Sequence, residues 1–181
     1  SMLGVVFASS GDLGAAIPLF EKAAAIQPGN IDILNNLAQA CAEVGRSEDA
    51  IGYYQQSLDI DPANEACLFN LGNLLKDQND LDGAATCYNR VLEINPGNPW
   101  ALSNLGNISR ALDRLDEAVH LYGRALKIDP NIASIHSNLG DALEAQGLLD
   151  EAAASQQRAI AADPNFANAY CSLGIIFCKQ G

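Results

Sequence analysis

The residue types that most often carry out chemistry, histidine and cysteine, are few in this sequence and unfavourably spaced. His120 and His136 have no serine or cysteine at a spacing that indicates nucleophile activation. The five cysteines form no C-x-x-C pair, and Cys171 and Cys178, seven residues apart, would need further ligands nearby to hold a metal. We therefore predict free thiols and no catalytic residue, metal site or cofactor.

The sequence also lacks the motifs that position phosphates, nucleophiles or catalytic zinc. It contains no P-loop, no G-x-G-x-x-G after a strand, no G-x-S-x-G and no H-E-x-x-H. Paired carboxylates such as Asp116 and Glu117 occur where a helix is predicted to begin, and there they offset the helix macrodipole. On its own residues the chain is not predicted to be an enzyme.

The charge of the chain excludes several classes of partner. Its 181 residues carry a net charge of -12 at pH 7, whereas nucleic acids and anionic membranes select basic surfaces. No run of about 18 or more apolar residues indicates a transmembrane helix, and the start of the chain lacks the basic region of a signal peptide. We expect a cytoplasmic protein whose partners are other proteins.

Prolines reveal the organisation of the chain, because five of them are spaced 34 residues apart. With each proline at position 32 of a repeat, the whole chain divides into one array. The predicted boundaries are 1–30 for a partial repeat, 31–64, 65–98, 99–132 and 133–166 for full repeats, and 167–181 for a lone first helix.

The residues at other repeat positions predict two antiparallel helices in each repeat. Leu105 at position 7 belongs to an apolar stripe with helical periodicity. Gly106 at position 8 and Ala118 at position 20 are small, which allows two helices to approach closely. Tyr122 at position 24 is predicted to fill the space between them, and only the last full repeat departs from an aromatic residue there, with Gln156.

Turn-forming residues at position 15 are predicted to end the first helix of each unit. They are Gly45, Asn79, Asp113 and Gly147. Pro18 lies inside a predicted second helix and removes a backbone donor, so we expect a kink or a late start of that helix.

This pattern resembles the tetratricopeptide repeat over the whole chain. The resemblance implies an all-α fold, in which antiparallel helix pairs stack into a right-handed superhelical solenoid. It also implies that the first helices line a concave inner surface. The fold does not define the function, because this scaffold hosts many different partners.

Asparagine recurs at position 6 of the first helix, although its amide competes for backbone hydrogen bonds and disfavours helix interiors. Because an amide can donate and accept at once, a row of amides suits the backbone of an extended polypeptide. The alternative is that the amides only bridge neighbouring repeats. The predicted peptide-binding residues are Asn36, Asn70, Asn104 and Asn138 at position 6, Gln39, Asn73, Asn107 and Asp141 at position 9, and Asp32 and Trp100 at position 2.

Trp100, the single tryptophan, has two interpretations. It is either an exposed binding anchor or a packing residue against the preceding loop, "NPGNP". The positions that would form a basic clamp for a terminal carboxylate in chaperone-binding repeats hold Asp32, Ala66 and Ser134 beside Trp100, so that activity is disfavoured.

The runs "SNLGN", "AYCSLG" and "LDEA" resemble the repeat region of O-linked N-acetylglucosamine transferases. In that family an asparagine ladder grips substrate polypeptide and a separate C-terminal domain performs glycosyl transfer. The ladder maps onto the position-6 asparagines and breaks at Ser172. The resemblance implies a substrate-recruiting array of a larger glycosyltransferase, and the alternative is a stand-alone scaffold for a bacterial multiprotein complex.

The last predicted helix carries an apolar face that has no predicted partner. Its residues are Tyr170, Leu173, Ile175, Ile176 and Phe177. Natural arrays end in polar capping helices, so we expect a fragment of a longer array that self-associates through its ends.

Overall fold

The computed structural model describes residues 13–180, and within this range the chain is all α-helical, as predicted. Even-numbered helices are the first helices of their repeats and odd-numbered helices are the second. The ten helices are α1 (Leu13–Ile26), α2 (Ile31–Glu43), α3 (Ser47–Ile60), α4 (Glu65–Asp77), α5 (Leu81–Ile94), α6 (Pro99–Ala111), α7 (Leu115–Ile128), α8 (Ala133–Ala145), α9 (Leu149–Ala162) and α10 (Ala167–Gln180).

Asparagine caps begin three of the first helices. The side-chain oxygens of Asn30, Asn64 and Asn98 accept the backbone N–H groups three residues later, at 2.9 to 3.2 Å. Such a cap satisfies one of the backbone donors that a helix start leaves unpaired. Ile132 takes this place before α8 and forms no side-chain cap.

The turns between paired helices confirm the expectation for position 15. All four residues adopt positive φ angles, 81° for Gly45 and Gly147, 64° for Asn79 and 58° for Asp113. This left-handed conformation allows the backbone N–H of the following residue to donate a hydrogen bond to a carbonyl in the last turn of the helix. The N–H of Arg46, for example, donates to the carbonyl of Cys41 at 2.8 Å.

The core of each helix pair forms where position 8 meets position 24. A Cβ atom at Gly72 would lie 2.8 Å from Cε1 of Tyr88, and one at Gly106 would lie 2.6 Å from Cε1 of Tyr122. Both tyrosines are fully buried. The glycines therefore allow the rings to pack directly on the backbone of the first helix.

The chain forms two compact units, of which the first ends at Ile94 and the second begins at Asn95. In the first unit α2 packs against α1 and α3 and also contacts α4. In the second unit α8 packs against α7 and α9 and also contacts α6 and α10. First helices of successive repeats therefore touch within each unit. The assignment of residues 1–181 to a single array stays a prediction.

Of the two outcomes expected for the helix around Pro18, the late start is wrong and the kink stays a prediction. Helix α1 is already formed at Leu13, the same repeat position at which α5, α7 and α9 begin, and it continues through Pro18 to Ile26. The Pro18 side chain is exposed, and Ile17 and Phe20 on either side are buried in the core.

The contact between Gly106 and the Tyr122 ring predicts a cost for any side chain at this position. Gly106→Ala should lower the free energy of unfolding by about 1–3 kcal/mol, because the ring must move. Gly123→Ala on α7, where an added Cβ meets nothing within 4 Å, should raise it by about 0.5–1 kcal/mol through helix propensity. Urea denaturation measures both, and a stabilising Gly106→Ala would contradict the assigned packing.

The positive φ angles predict opposite effects for two turn substitutions. Gly147→Ala should cost about 1–2 kcal/mol of unfolding free energy, because a Cβ strains the left-handed conformation. Asp113→Gly should stabilise the protein by up to about 1 kcal/mol by relieving that strain. Thermal melts followed by circular dichroism provide the test, and equal effects of the two changes would show that these turns relax.

Candidate peptide-binding surface

The position-6 asparagines are placed by the leucines that follow them. Leu37 and Leu105 are buried in the helix pairs, and a residue one step earlier on a helix lies about 100° away. Asn36 is therefore exposed, and Asn70 and Asn138 are half-buried. The fourth, Asn104, is half-buried as well.

Three of these four amides have unused hydrogen-bonding groups. Among residues 13–180, the side chains of Asn36, Asn70 and Asn138 form no hydrogen bond, whereas Asn104 has a partner within the protein. Each unused amide offers two donors and a carbonyl acceptor. At these three positions the structure contains no hydrogen-bonded bridge between neighbouring repeats.

The arrangement of the first helices brings the amides into pairs. Asn36 and Asn70 occupy the same repeat position on α2 and α4, which contact each other in the first unit. Asn104 and Asn138 occupy that position on α6 and α8, which contact each other in the second unit. Each unit therefore presents two position-6 asparagines on adjoining helices.

The position-9 asparagines are engaged inside the helix pairs, which the sequence did not reveal. The hydroxyl of Tyr88 donates to Oδ1 of Asn73, and that of Tyr122 donates to Oδ1 of Asn107, both at 2.7 Å. Burial raises the pKa of Tyr122 to about 12 and raises that of Tyr88 further, so both hydroxyls stay protonated donors. These amide oxygens are already used by the fold.

Asp141, at position 9 of the last full repeat, connects three helices. Its Oδ1 accepts from Nε2 of Gln156 on α9 at 2.9 Å and from the hydroxyl of Ser172 on α10 at 3.1 Å. Burial raises the pKa of the Asp141 carboxyl, and these hydrogen bonds, together with the charge of Arg110, act in the opposite direction. Ser172, which replaces asparagine at position 6 of the last repeat, is thus hydrogen-bonded to a neighbouring helix of the fold.

The remaining predicted residues flank the asparagines on the same helices. Asp32 is exposed four residues before Asn36, and Trp100 is 49% exposed four residues before Asn104. Residues four apart share a helix face. The exposed Gln39 donates to Oε1 of Glu43 at 3.0 Å, so its amide nitrogen is partly used on its own helix.

Other kinds of site are not seen in residues 13–180. No cluster of three or more histidine, cysteine, aspartate or glutamate side chains could hold a metal ion there. None of the helices in that range is long and apolar enough to cross a membrane.

Comparison with protein families identifies the repeat. A model of the TPR repeat matches residues 72–109, 106–147 and 145–181, and a model of the tetratricopeptide repeat matches residues 1–63. The chain belongs to the tetratricopeptide repeat family, whose helix pairs form non-catalytic scaffolds for protein–protein interaction. No curated protein matches the sequence.

Several solved structures share the fold. A crystal structure of MamA is 23% identical with a TM-score of 0.82, and the match covers 91% of this chain and 96% of that chain. YrrB, a TPR protein with an unusual peptide-binding site, is 22% identical with a TM-score of 0.72 over 89% and 83% of the chains. A thermophilic TPR protein from Thermus thermophilus is 21% identical with a TM-score of 0.73 over 98% and 96%. At these identities the likeness shows the fold alone.

The raised pKa of Asp141 predicts a pH-dependent stability difference. A carboxyl whose pKa is higher in the folded state costs stability as the pH rises through its unfolded and then its folded pKa. Asp141→Asn keeps the acceptor oxygen and removes that cost. The free energy of unfolding of Asp141→Asn should therefore exceed that of the parent protein by the smallest amount at about pH 3 and by a larger amount at about pH 7.

The matched variant Asp141→Ala removes the acceptor from Gln156 and Ser172. It should destabilise the protein by about 1–3 kcal/mol at both pH values, because buried donors lose their partner. Urea denaturation at the two pH values measures both variants. A gain from Asp141→Asn that is larger in acid would show that the pKa is shifted in the opposite direction.

Proposed function

We propose that the protein binds extended polypeptide along the first helices of its units, with Asn36 and Asn70 in the first unit and Asn138 in the second contacting the backbone of bound peptide. The observation that carries this proposal is the unused hydrogen-bonding capacity of these three amides at one repeat position. An extended backbone presents alternating N–H and C=O groups, and a side-chain amide can pair with either. Hydrogen bonds of this kind bind the peptide backbone and therefore do not select a peptide sequence.

Selectivity would come from the flanking side chains. Asp32 adds a negative charge on the first-helix face, and the chain as a whole carries a net charge of -12, which favours basic or neutral peptides. Trp100 offers a half-exposed ring of the type that often anchors a bound segment. Asn73, Asn107 and Asp141 support this surface through their contacts with position 24.

One cellular role for this surface is substrate recruitment within a larger glycosyltransferase related to the O-linked N-acetylglucosamine transferases. The runs "SNLGN" and "LDEA" support it. A stand-alone scaffold that organises a multiprotein complex is the second candidate. The match with MamA supports it, because this chain aligns with 96% of the MamA chain in the solved structure. A glycosyltransferase domain encoded downstream in the same gene would favour the first role.

Substitution of the paired amides in the first unit tests peptide binding. Random 12-residue peptides on phage provide the probe, and the affinity of a selected synthetic peptide is measured by calorimetry. Asn36→Ala with Asn70→Ala should weaken binding about 30-fold, because two neutral hydrogen-bond pairs contribute about 1 kcal/mol each.

Asn89→Ala provides the matched control, since Asn89 is an exposed asparagine on the second helix α5. It should bind like the parent protein, and circular dichroism should show native helicity in both variants. The proposal fails if no peptide is selected, or if the selected peptide binds the double variant as tightly as the parent.

A further inference from the structure

A pocket of about 460 Å³ opens on the second unit, between the turn that precedes α8 and the C-terminal end of α9. It includes none of the position-6 asparagines, so the proposed peptide contacts do not involve it. The residues that line it are Pro130, Asn131, His136, Arg158, Ala161 and Ala162.

The arginine in this pocket differs in its contacts from its counterpart in the first unit. Arg90, which also stands at position 26 of its repeat, donates from Nη2 to the carbonyl of Pro62 at 2.6 Å. In the second unit the corresponding carbonyl belongs to Pro130, and Nε2 of His136 lies 2.9 Å from it. Because a carbonyl oxygen only accepts, Nε2 is the donor. Arg158 forms no hydrogen bond or ion pair among residues 13–180.

Two alanines provide the space beside this guanidinium. Ala161 and Ala162 follow Arg158 by three and four residues, so all three lie on the same face of α9. In the other full repeats these positions hold larger side chains, namely Asp59 and Ile60, Glu93 and Ile94, and Lys127 and Ile128. Ile60 and Ile128 are 47% and 45% exposed although further helices follow them in the same unit. The end of a second helix is therefore an exposed part of the repeat, and the alanine pair makes it concave in α9.

The acidic residues adjacent in sequence to the pocket are bound within their own turns. Oδ1 of Asp129 accepts the backbone N–H of Asn131, and Oδ1 of Asp163 accepts that of Asn165, both at 2.9 Å. Neither carboxylate forms an ion pair with Arg158. The pocket thus combines an unpaired cation with an apolar floor, and the nearby negative charges limit how tightly an anion binds.

We propose that this pocket binds an organic carboxylate that carries a compact apolar group. The carboxylate accepts hydrogen bonds from the guanidinium of Arg158, a pairing that arginine makes with two parallel bonds. The apolar group packs on Ala161, Ala162 and the ring of Pro130. Free small acids and the glutamate side chains of a polypeptide both have this chemistry. The site is separate from the proposed peptide-binding surface and does not depend on it.

A titration with 3-phenylpropionate, followed by NMR at pH 7 and low salt, tests this site. The imidazole signals of His136 should shift saturably, with a dissociation constant on the order of 1–10 mM, because this ring lines the pocket. His120 is the only other histidine and lies on α7. Its signals should stay in place, and His120→Gln assigns the two sets. The uncharged 3-phenylpropionamide should bind at least fivefold more weakly.

Four variants separate the contributions of charge and space. Arg158→Gln should weaken binding at least fivefold, and Ala162→Ile, which introduces the residue found at position 30 of the other repeats, should abolish it. Arg124→Gln makes the same charge change at position 26 of α7 and should bind like the parent. Asp129→Asn keeps an acceptor for the N–H of Asn131 and removes a negative charge, so it should bind more tightly. Circular dichroism should show native helicity in all four.

The outcomes also distinguish the two sources of the carboxylate. Stronger binding of an acetylated and amidated alanyl-glutamyl-alanine peptide than of 3-phenylpropionate would assign the pocket to an acidic polypeptide side chain, and the reverse would assign it to a free acid. Unmoved His136 signals with both probes overturn the proposal. Equal binding of the amide, or equal binding by Arg158→Gln, also overturns it.

Discussion

The close contact of the residue at position 24 with a small residue at position 8, glycine in three of the full repeats and Ala38 in the first, is the constraint on which the rest of the structure depends. Tyr122 packs against the backbone at Gly106 so closely that no side chain fits between them. The hydroxyl of the same ring holds Asn107 at 2.7 Å. One side chain therefore sets both the distance between the paired helices and the polar contact that fixes them. Gln156 keeps this arrangement in the last full repeat by donating to Asp141.

This packing determines which side chains remain available for a partner. The apolar positions face the second helix, and at position 9 Asn73, Asn107 and Asp141 bond to the residue at position 24, so these groups are used by the fold. Asn36, Asn70 and Asn138 lie on another face and keep their amides free of hydrogen bonds within residues 13–180. These three asparagines are thus poor helix formers that the surrounding core tolerates, and under the proposed function their amides contact the polypeptide backbone.

The sequence predicted the fold because its signals are local and repeated. The turn at Gly45 depends on one backbone conformation, and the burial of Leu105 depends on helical periodicity, so both could be read from spacing. The contact between Asn107 and Tyr122 joins residues 15 apart on two helices, and only their packing reveals it. Repeat position alone therefore places Asn107 with Asn36, and the structure separates them. The continuation of α1 through Pro18 is likewise not evident from spacing, because the buried Ile17 and Phe20 hold this segment in the core.

The central claim is that the position-6 amides contact a bound polypeptide backbone. Side-chain amide resonances of ¹⁵N-labelled protein, assigned by single Asn→Ala variants and titrated with a phage-selected peptide, measure this directly. The account predicts that the largest shifts occur at Asn36, Asn70 and Asn138, with smaller shifts at Asn73 and Asn107, whose oxygens are held by tyrosine hydroxyls. Saturable binding that leaves all three position-6 amide resonances unmoved would contradict it.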